Sequence, residues 1–473
     1  MARRILLVSG GIVALAVLVL VAVPRLLDLN GYRPRLETVA SEAVGMPVRI
    51  GGRLGMSLFP NFHVTANDGR ILDSAGVVVV SVARASFGIA LLPLLHGQFQ
   101  LHSLELRQPV LAIAIDSQGR SNVEKLTKAA GLLAALDGAS VTLSDGSLNY
   151  ADGRSSQALR ATGVDLHVRR LKFTEVHSAE PWRHLSLLAD LECREVRSKH
   201  TSVSGLKVRI EGKAGMFDAE PITMRAFGGQ LGGTIHADVS GPVPVYQLRC
   251  DLKRFRIEEF LKSMSPNQAA EGAMDFSARL SMQGRTRRQL VESAAGDLSL
   301  RGKDLKLLST DLDRALSRFE SSQTFNLVDI GAVFFAGPVG LAVTRGYSFA
   351  GLFAGSGGTS SIQTLVSDWK VEHGVAHATD VAMATAKNRI ALWGGLDFAG
   401  QRFVDVTMAV VNDKGCATVK QTLSGPFADP VVEKPRVLTS IAGPVLKLVR
   451  QTRKLFPAGP CELSYSGSVP PPG

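Results

Sequence analysis

Alternation of apolar and polar residues with a period of two recurs in segment after segment, and it restricts the fold more than any other feature of the chain. Leu104 and Leu106 alternate with Glu105 and Arg107, and Leu111, Ile113 and Ile115 alternate with Ala112 and Ala114. Val164, Leu166 and Val168 alternate with Asp165, His167 and Arg169, and Leu206, Val208 and Ile210 with Lys207, Arg209 and Glu211. Ile235, Ala237 and Val239, then Phe276, Ala278, Leu280 and Met282, then Val404, Val406 and Met408 follow the same rule. Gly, Asp, Asn or Pro lies near each segment, so each reads as an antiparallel strand with one apolar and one wet face. The 47 Gly and only 6% aromatic residues fit many turns between short strands. No strict repeat is visible. Such a succession can build several closed sandwiches, or one long curled sheet that grows by about 4.8 Å per strand. The second would present a continuous apolar trough suited to acyl chains, and periodicity leaves both open.

A few helices interrupt the strands. Asn30-Gly31-Tyr32-Arg33-Pro34 opens a short helix in which Leu36, Val39, Ala40 and Ala43 share a face and which Gly45 ends. Helical spacing also links Ile257, Phe260, Leu261 and Met264, and Leu312, Ala315, Leu316 and Phe319. Val437, Ile441, Val445, Leu448 and Val449 predict a longer helix with Lys447, Arg450, Arg453 and Lys454 near its end. Gly355–Gly358 reads as a flexible loop, and Pro470–Gly473 as a disordered tail.

Ile5–Val23 is a run of 19 uncharged, mostly apolar residues. As a helix it would reach about 28 Å, close to the hydrocarbon thickness of a bilayer. Its length and the absence of a small-residue cleavage site favour an uncleaved anchor over a signal peptide. Only four residues precede it, so the long C-terminal part is the exported one and the short helix from Asn30 sits just outside the membrane. Ile330–Val343 is apolar but short, and Gly331, Gly337, Pro338 and Gly340 interrupt it.

The net charge of +11 comes from scattered basic residues rather than a run. Export makes nucleic acid a poor partner for them, and an anionic membrane or lipid headgroup a better one. The four Cys form no C-x-x-C pair, so a structural zinc site is not expected, and in an exported chain they favour disulfides with three possible pairings. The ten His are dispersed, and no H-E-x-x-H, P-loop or G-x-G-x-x-G occurs. Gly346-Tyr347-Ser348-Phe349-Ala350 has the outline of a nucleophile elbow with Ala in the last place, and His373 and His377 follow. Its β-rich, Gly-rich surroundings read as a loop instead. Glu258-Glu259 reads as a solvated helix face. The expectation is a protein without catalytic residues, metal or cofactor.

Several segments, in order, resemble the AsmA family: Asn30 to Gly45, then Val48-Arg49-Ile50-Gly51-Gly52-Arg53-Leu54-Gly55-Met56-Ser57-Leu58-Phe59-Pro60, then Leu91-Leu92-Pro93-Leu94-Leu95 and Gly119-Arg120-Ser121-Asn122. Leu280 to Leu305 is similar to the family's strand-Gly-helix-Gly-strand unit, with Gly284, Leu290, Gly296 and Gly302 in place. Asp368–Ala376, Gly394–Phe398 and Leu423–Pro430 resemble its hairpin and closing strands, and residues 150–270 are similar in texture only.

The resemblance implies a mainly β protein with a few short helices: an N-terminal transmembrane helix followed by a long curled antiparallel sheet forming an apolar groove. It implies a bacterial inner-membrane protein, N-terminus cytoplasmic and bulk periplasmic, active in outer-membrane biogenesis and phospholipid movement. Outer-membrane or envelope proteins are possible further partners, and a non-catalytic scaffold is the alternative. The expected division is residues 1–4 cytoplasmic, 5–24 anchor, 25–170 N-terminal β-rich region, 171–308 middle region, 309–467 C-terminal region and 468–473 tail. Groove-lining candidates are Leu104, Leu106, Leu111, Ile113, Ile115, Val164, Leu166, Val168, Leu206, Val208, Ile210, Phe276, Leu280, Val404 and Val406. With this reading goes a Cys416–Cys461 disulfide that closes the basic helix between them against the sheet, with Cys193–Cys250 a second, weaker pairing. The basic helix over 436–455 would cap the groove, touch an anionic surface, or pack on the sheet as an ordinary amphipathic helix.

Overall fold

The computed structural model describes residues 29–57, 62–90, 100–123, 136–154, 157–174, 180–199, 201–263, 270–308, 311–314, 316, 358–434, 436–437 and 463–472. The apolar run Ile5–Val23, Ile330–Val343, the elbow-like Gly346–Ala350, the loop Gly355–Ser356–Gly357 and Cys461 lie outside them. Among the described residues no helix is long and apolar enough to cross a membrane. The chain divides into two compact units: residues up to Ile222 with Val239–Gly241, and Thr223–Asp238 with everything from Pro242 onward.

The first unit is a sheet of β1 (Val48–Ile50), β2 (Leu54–Ser57), β3 (His63–Leu72), β4 (Val78–Ile89), β5 (Leu101–Arg107), β6 (Val110–Ile115), β7 (Ser140–Asp152), β8 (Gln157–Phe173), β9 (Leu185–Ser198) and β10 (Ser202–Lys213). β1 and β2 both pair with β3, which pairs with β4. β5 and β6 both pair antiparallel with β4 and parallel with β7, and β7 to β10 follow as antiparallel neighbours. The sheet is therefore mixed, where a purely antiparallel one was expected. β7 begins beside the start of β5 and runs in the direction of β5 and β6.

One helix guards the edge of this sheet. α1 (Arg33–Val44) ends at Gly45, as the sequence predicts. With the turn before it, α1 supplies side-chain partners to the edge formed by β1 and β2. Asn30 Oδ1 accepts from Leu54 N–H (3.1 Å), Glu37 Oε1 from Ile50 N–H (2.7 Å) and Ser41 Oγ from Val48 N–H (2.9 Å). Arg33 Nη2 donates to the Gly52 carbonyl (2.9 Å). These groups stand where a further strand would bind, which blocks edge-to-edge association.

β11 (Met216–Ala226) carries the chain into the second unit. There β12 (Gly229–Asp238), β13 (Val245–Arg256), β14 (Ala270–Glu271), β15 (Ala273–Gln283), β16 (Ala295–Leu307), β17 (Ser360–Glu372), β18 (Val375–Thr385), β19 (Arg389–Asp397), β20 (Arg402–Val411) and β21 (Ala417–Pro426) pair antiparallel, with β14 and β15 both on β16. β22 (Val431–Val432) and β23 (Arg436–Val437) both pair with β21. α2 (Ile257–Lys262) buries Ile257, Phe260 and Leu261. α3 (Arg287–Glu292) sits between Gly284 and Gly296 and starts at a capping box of Thr286 and Gln289, so the predicted strand-Gly-helix-Gly-strand unit is present.

Three local expectations change. Val437 was to begin a helix, but Arg436–Val437 is extended because it finds backbone partners on β21; residues 438–462 lie outside the description. Glu258 is buried rather than solvated, 6% exposed. It accepts from Arg256 Nε (2.6 Å) and Gly272 N–H (3.2 Å). Burial pushes its carboxyl up, but these bonds and its own backbone N–H outweigh that and hold it low. Finally, Ser468 and Val469, assigned to the tail, are fixed: Asp380 Oδ2 accepts from Ser468 N–H (2.9 Å) and Oγ (2.6 Å), and Val469 is 1% exposed.

Candidate functional site

Strand register turns the alternation of the sequence into rows. In the first unit Ala85, Leu106, Leu143, Leu166, Leu191 and Val208 are successive cross-strand partners from β4 to β10. Phe87, Leu104, Val141, Val168, Ala189 and Ile210 form the neighbouring row. At about 4.8 Å per strand each row is about 24 Å long. Val164, Cys193 and Leu206 form a shorter one.

A line of left-handed residues crosses the same strands. Asp68, Gln108, Asp145, Gly163 and Gly205 all have φ between 50 and 63°. Each falls between paired residues; Asn67 pairs with Arg84 and Gly69 with Val82, for example, which leaves Asp68 between them. Gln108 Nε2 donates to Asp145 Oδ2 (3.2 Å), and Asp145 N–H to Asp165 Oδ1 (2.9 Å). A left-handed residue breaks the pleat, so alternation resumes with opposite parity beyond it. Apolar parity in the sequence switches at the same level: Leu104 and Leu106 are even and Leu111, Ile113 and Ile115 odd, and Leu166 and Val164 are even where Ala161 and Leu159 are odd. Val80, Leu111, Leu148, Ala161, Val196 and Val203 form a further apolar row beyond the seam.

This face is only partly covered. Leu106, Leu143, Leu166, Leu191, Val208 and Ile210 are all half-buried, while Lys207, Arg209 and Glu211 between them are exposed. The opposite side carries ions: Glu105, Thr142, His167, Asp190 and Arg209 form one row. Asp190 accepts from Arg209 (2.9 Å) and from Arg169, and the Arg209 bond above all holds its carboxyl below the usual range. Lys207 pairs with Glu192 at 3.0 Å. Such exposed pairs stabilise little, but they keep this side wet.

In the second unit Leu231, Leu252, Phe276 and Leu300 form a row, and Ile235, Leu248 and Leu280 another. The first is sealed at its centre: Leu252, Phe276 and Leu300 are at most 6% exposed. The second is open, with Leu248 and Leu280 half-buried and Ile235 38% exposed. In β18 to β20 stretches of both faces close; Val381, Ala382, Met383 and Ala384 are buried in succession, as are Val406, Thr407, Met408 and Ala409.

The candidate lining residues therefore divide. Leu106, Val164, Leu166, Val168, Leu206, Val208 and Ile210 join half-exposed rows, with Leu104 at their more covered end. Leu111 and Ile113 pack against the small core of Met46, Val79 and Val123, and Ile115 pairs with Asp152 at the row's end. Phe276 and Val406 are buried, and Leu280 and Val404 half-buried. Val141, Leu143 and Leu191 complete the rows; their alternation with Ser140, Thr142 and Ser144 and with Asp190 and Glu192 is the sequence signal that marks them. Cys416 is disulfide-bonded, and its expected partner Cys461 lies outside the described residues. Cys193 and Cys250 are free thiols. Their cross-strand neighbours, Val164 and Leu206 for Cys193 and Gly233 and Ala278 for Cys250, offer no sulfur within disulfide reach.

The sequence profile of the AsmA family matches residues 1–178 and 180–329. The chain belongs to the AsmA family. The match to AsmA runs through the middle region that resembles the family only in texture, and stops before the C-terminal motifs at 368–430. No curated protein matches the chain in sequence.

Proposed function

We propose that this AsmA-family chain is an inner-membrane-anchored periplasmic protein of outer-membrane biogenesis that carries phospholipid acyl chains on its apolar sheet face and catalyses no reaction. The observation that supports it is the set of unbroken, half-exposed apolar rows across β4 to β10. Each methylene moved from water onto such a face gains about 0.8 kcal/mol, so a lipid is held with no covalent chemistry. Headgroups stay in water near the basic surplus of +11. Residues 5–23 supply the membrane tether. Bacterial envelope proteins are the further partners in this reading.

A photo-crosslinking residue at Leu191, on the apolar face, tests it against one at Asp190, on the wet face. In cells, phospholipid adducts are expected at 191 and not at 190. Equal labelling, or none at 191, rejects lipid carriage. A second reading, a non-catalytic scaffold for partner proteins, is favoured by β18 to β20, where runs such as Val381–Ala384 and Val406–Ala409 are buried on both faces. Protein adducts at 191 in place of lipid would support it.

A further inference from the structure

α1 is built inside out. The side that meets the sheet edge is polar, made of Arg33, Glu37 and Ser41, and each of these bonds a backbone group of β1 or its extension. The side that meets water carries an apolar stripe, with Tyr32 57% exposed, Leu36 36% and Val39 61%, beside the exposed polar residues Thr38 and Glu42. At spacings of four and three residues these three share one helical stripe, and exposed Arg35 flanks them. A helix that spends polar residues on its own protein and turns this stripe outward lacks a cover for it among the described residues of its unit.

We propose that this stripe is a membrane-contact surface, lying in the interfacial layer of the phospholipid bilayer with Tyr32, Leu36 and Val39 among the upper acyl segments. This rests on the reading of residues 5–23 as a membrane anchor. The chain itself names the occupant. The apolar run ends at Val23 and the described structure starts at Leu29, six residues on, so the tether spans at most about 21 Å. Arg25 and Arg35 carry the charge that anionic headgroups attract, and tyrosine suits a boundary with one apolar and one wet side. Because the polar side of α1 is bonded to β1 and β2, contact through the stripe seats that edge of the first unit on the leaflet. The apolar rows then begin two strands in, at β4.

The test uses the full-length chain, otherwise unaltered, reconstituted in vesicles of phosphatidylethanolamine and phosphatidylglycerol. A photo-crosslinking residue is placed at Val39, or at Thr38, which is exposed but about 100° round the helix. Flotation reads the anchor, and mass spectrometry of the adducts reads the stripe. The expected result is flotation of both proteins, with lipid adduct at 39 exceeding that at 38 by about fivefold, since only one position faces the hydrocarbon. Flotation with equal adducts, or with none at 39, overturns the stripe and leaves the anchor standing. Flotation with a protein–protein adduct at 39 assigns the stripe to a second copy and also overturns the proposal. Failure to float removes the anchor reading and the proposal with it.

Discussion

Tyr465→Phe removes one oxygen and should release the C-terminal tail. In the native protein the Tyr465 hydroxyl donates to Asp380 Oδ1 (2.6 Å) and accepts from Val469 N–H (2.9 Å). Arg389 holds the same segment from the other side. Its Nη1 donates to the Val469 carbonyl (3.1 Å), and its guanidinium lies 5.4 Å from the Tyr465 ring centroid. Phe keeps the ring, its packing among Ala382, Ala409 and Val469, and the cation contact. What goes is a hydrogen bond to a charged group, worth about 1.5–3 kcal/mol, and the partner of a buried N–H. Asp380 is half-buried and keeps Ser468, so the lower part of that range applies, about 2 kcal/mol. Hydrogen–deuterium exchange of the peptide covering 464–472 reads this directly. A local loss of about 2 kcal/mol should speed its protected amides about thirtyfold and leave β7 to β10 unchanged. A change below about threefold would refute the claim that this oxygen latches the tail.

Three further outcomes follow. The Asp380 carboxyl is pushed up by burial, but its bonds from Ser468 and Tyr465 hold it below the ordinary 3.8. Its contribution is present above that value and disappears as pH falls through the lower folded one, so protection of 464–472 measured down an acid series should be lost there, and Asp380→Asn should flatten the profile. Leu252→Ala, at a site 2% exposed, should cost about 2–5 kcal/mol in chemical denaturation, whereas Leu166→Ala on the half-exposed face should cost clearly less; equal losses would show that the face is a sealed core. Glu37→Ala strips the partner from Ile50 N–H and should bare the β1 edge, visible as faster exchange at 48–54 and as concentration-dependent association in light scattering; a monomer with unaltered exchange contradicts the edge-guard role.

Much of the face was legible in the sequence. Leu166, Val208 and Ile210 declare their side by strict alternation, and register sets them in line. The parity switch between Leu106 and Leu111 was equally visible, but its meaning was not, because only the backbone reveals that Gln108 and Asp145 are left-handed at one level across the sheet. The guard helix was placed correctly by Gly45 and its heptad-like spacing. Its inversion was hidden, since periodicity marks an apolar stripe without telling which way it turns. Glu258 misled for the reverse reason: a carboxylate on a short helix looks solvated until Arg256 and Gly272 N–H close over it. The parallel entry of β7 depended on a crossover that no local pattern encodes.

Central to the account is that the half-exposed rows hold acyl chains. The most direct measurement is the amount of phospholipid per chain in full-length protein extracted gently from bacterial membranes, compared between the native sequence and Leu166→Lys with Leu191→Lys. The account predicts bound phospholipid on the native chain and a loss of about tenfold or more in the variant, with unchanged membrane extraction and folding. Equal phospholipid on both, or none on the native chain, would contradict it.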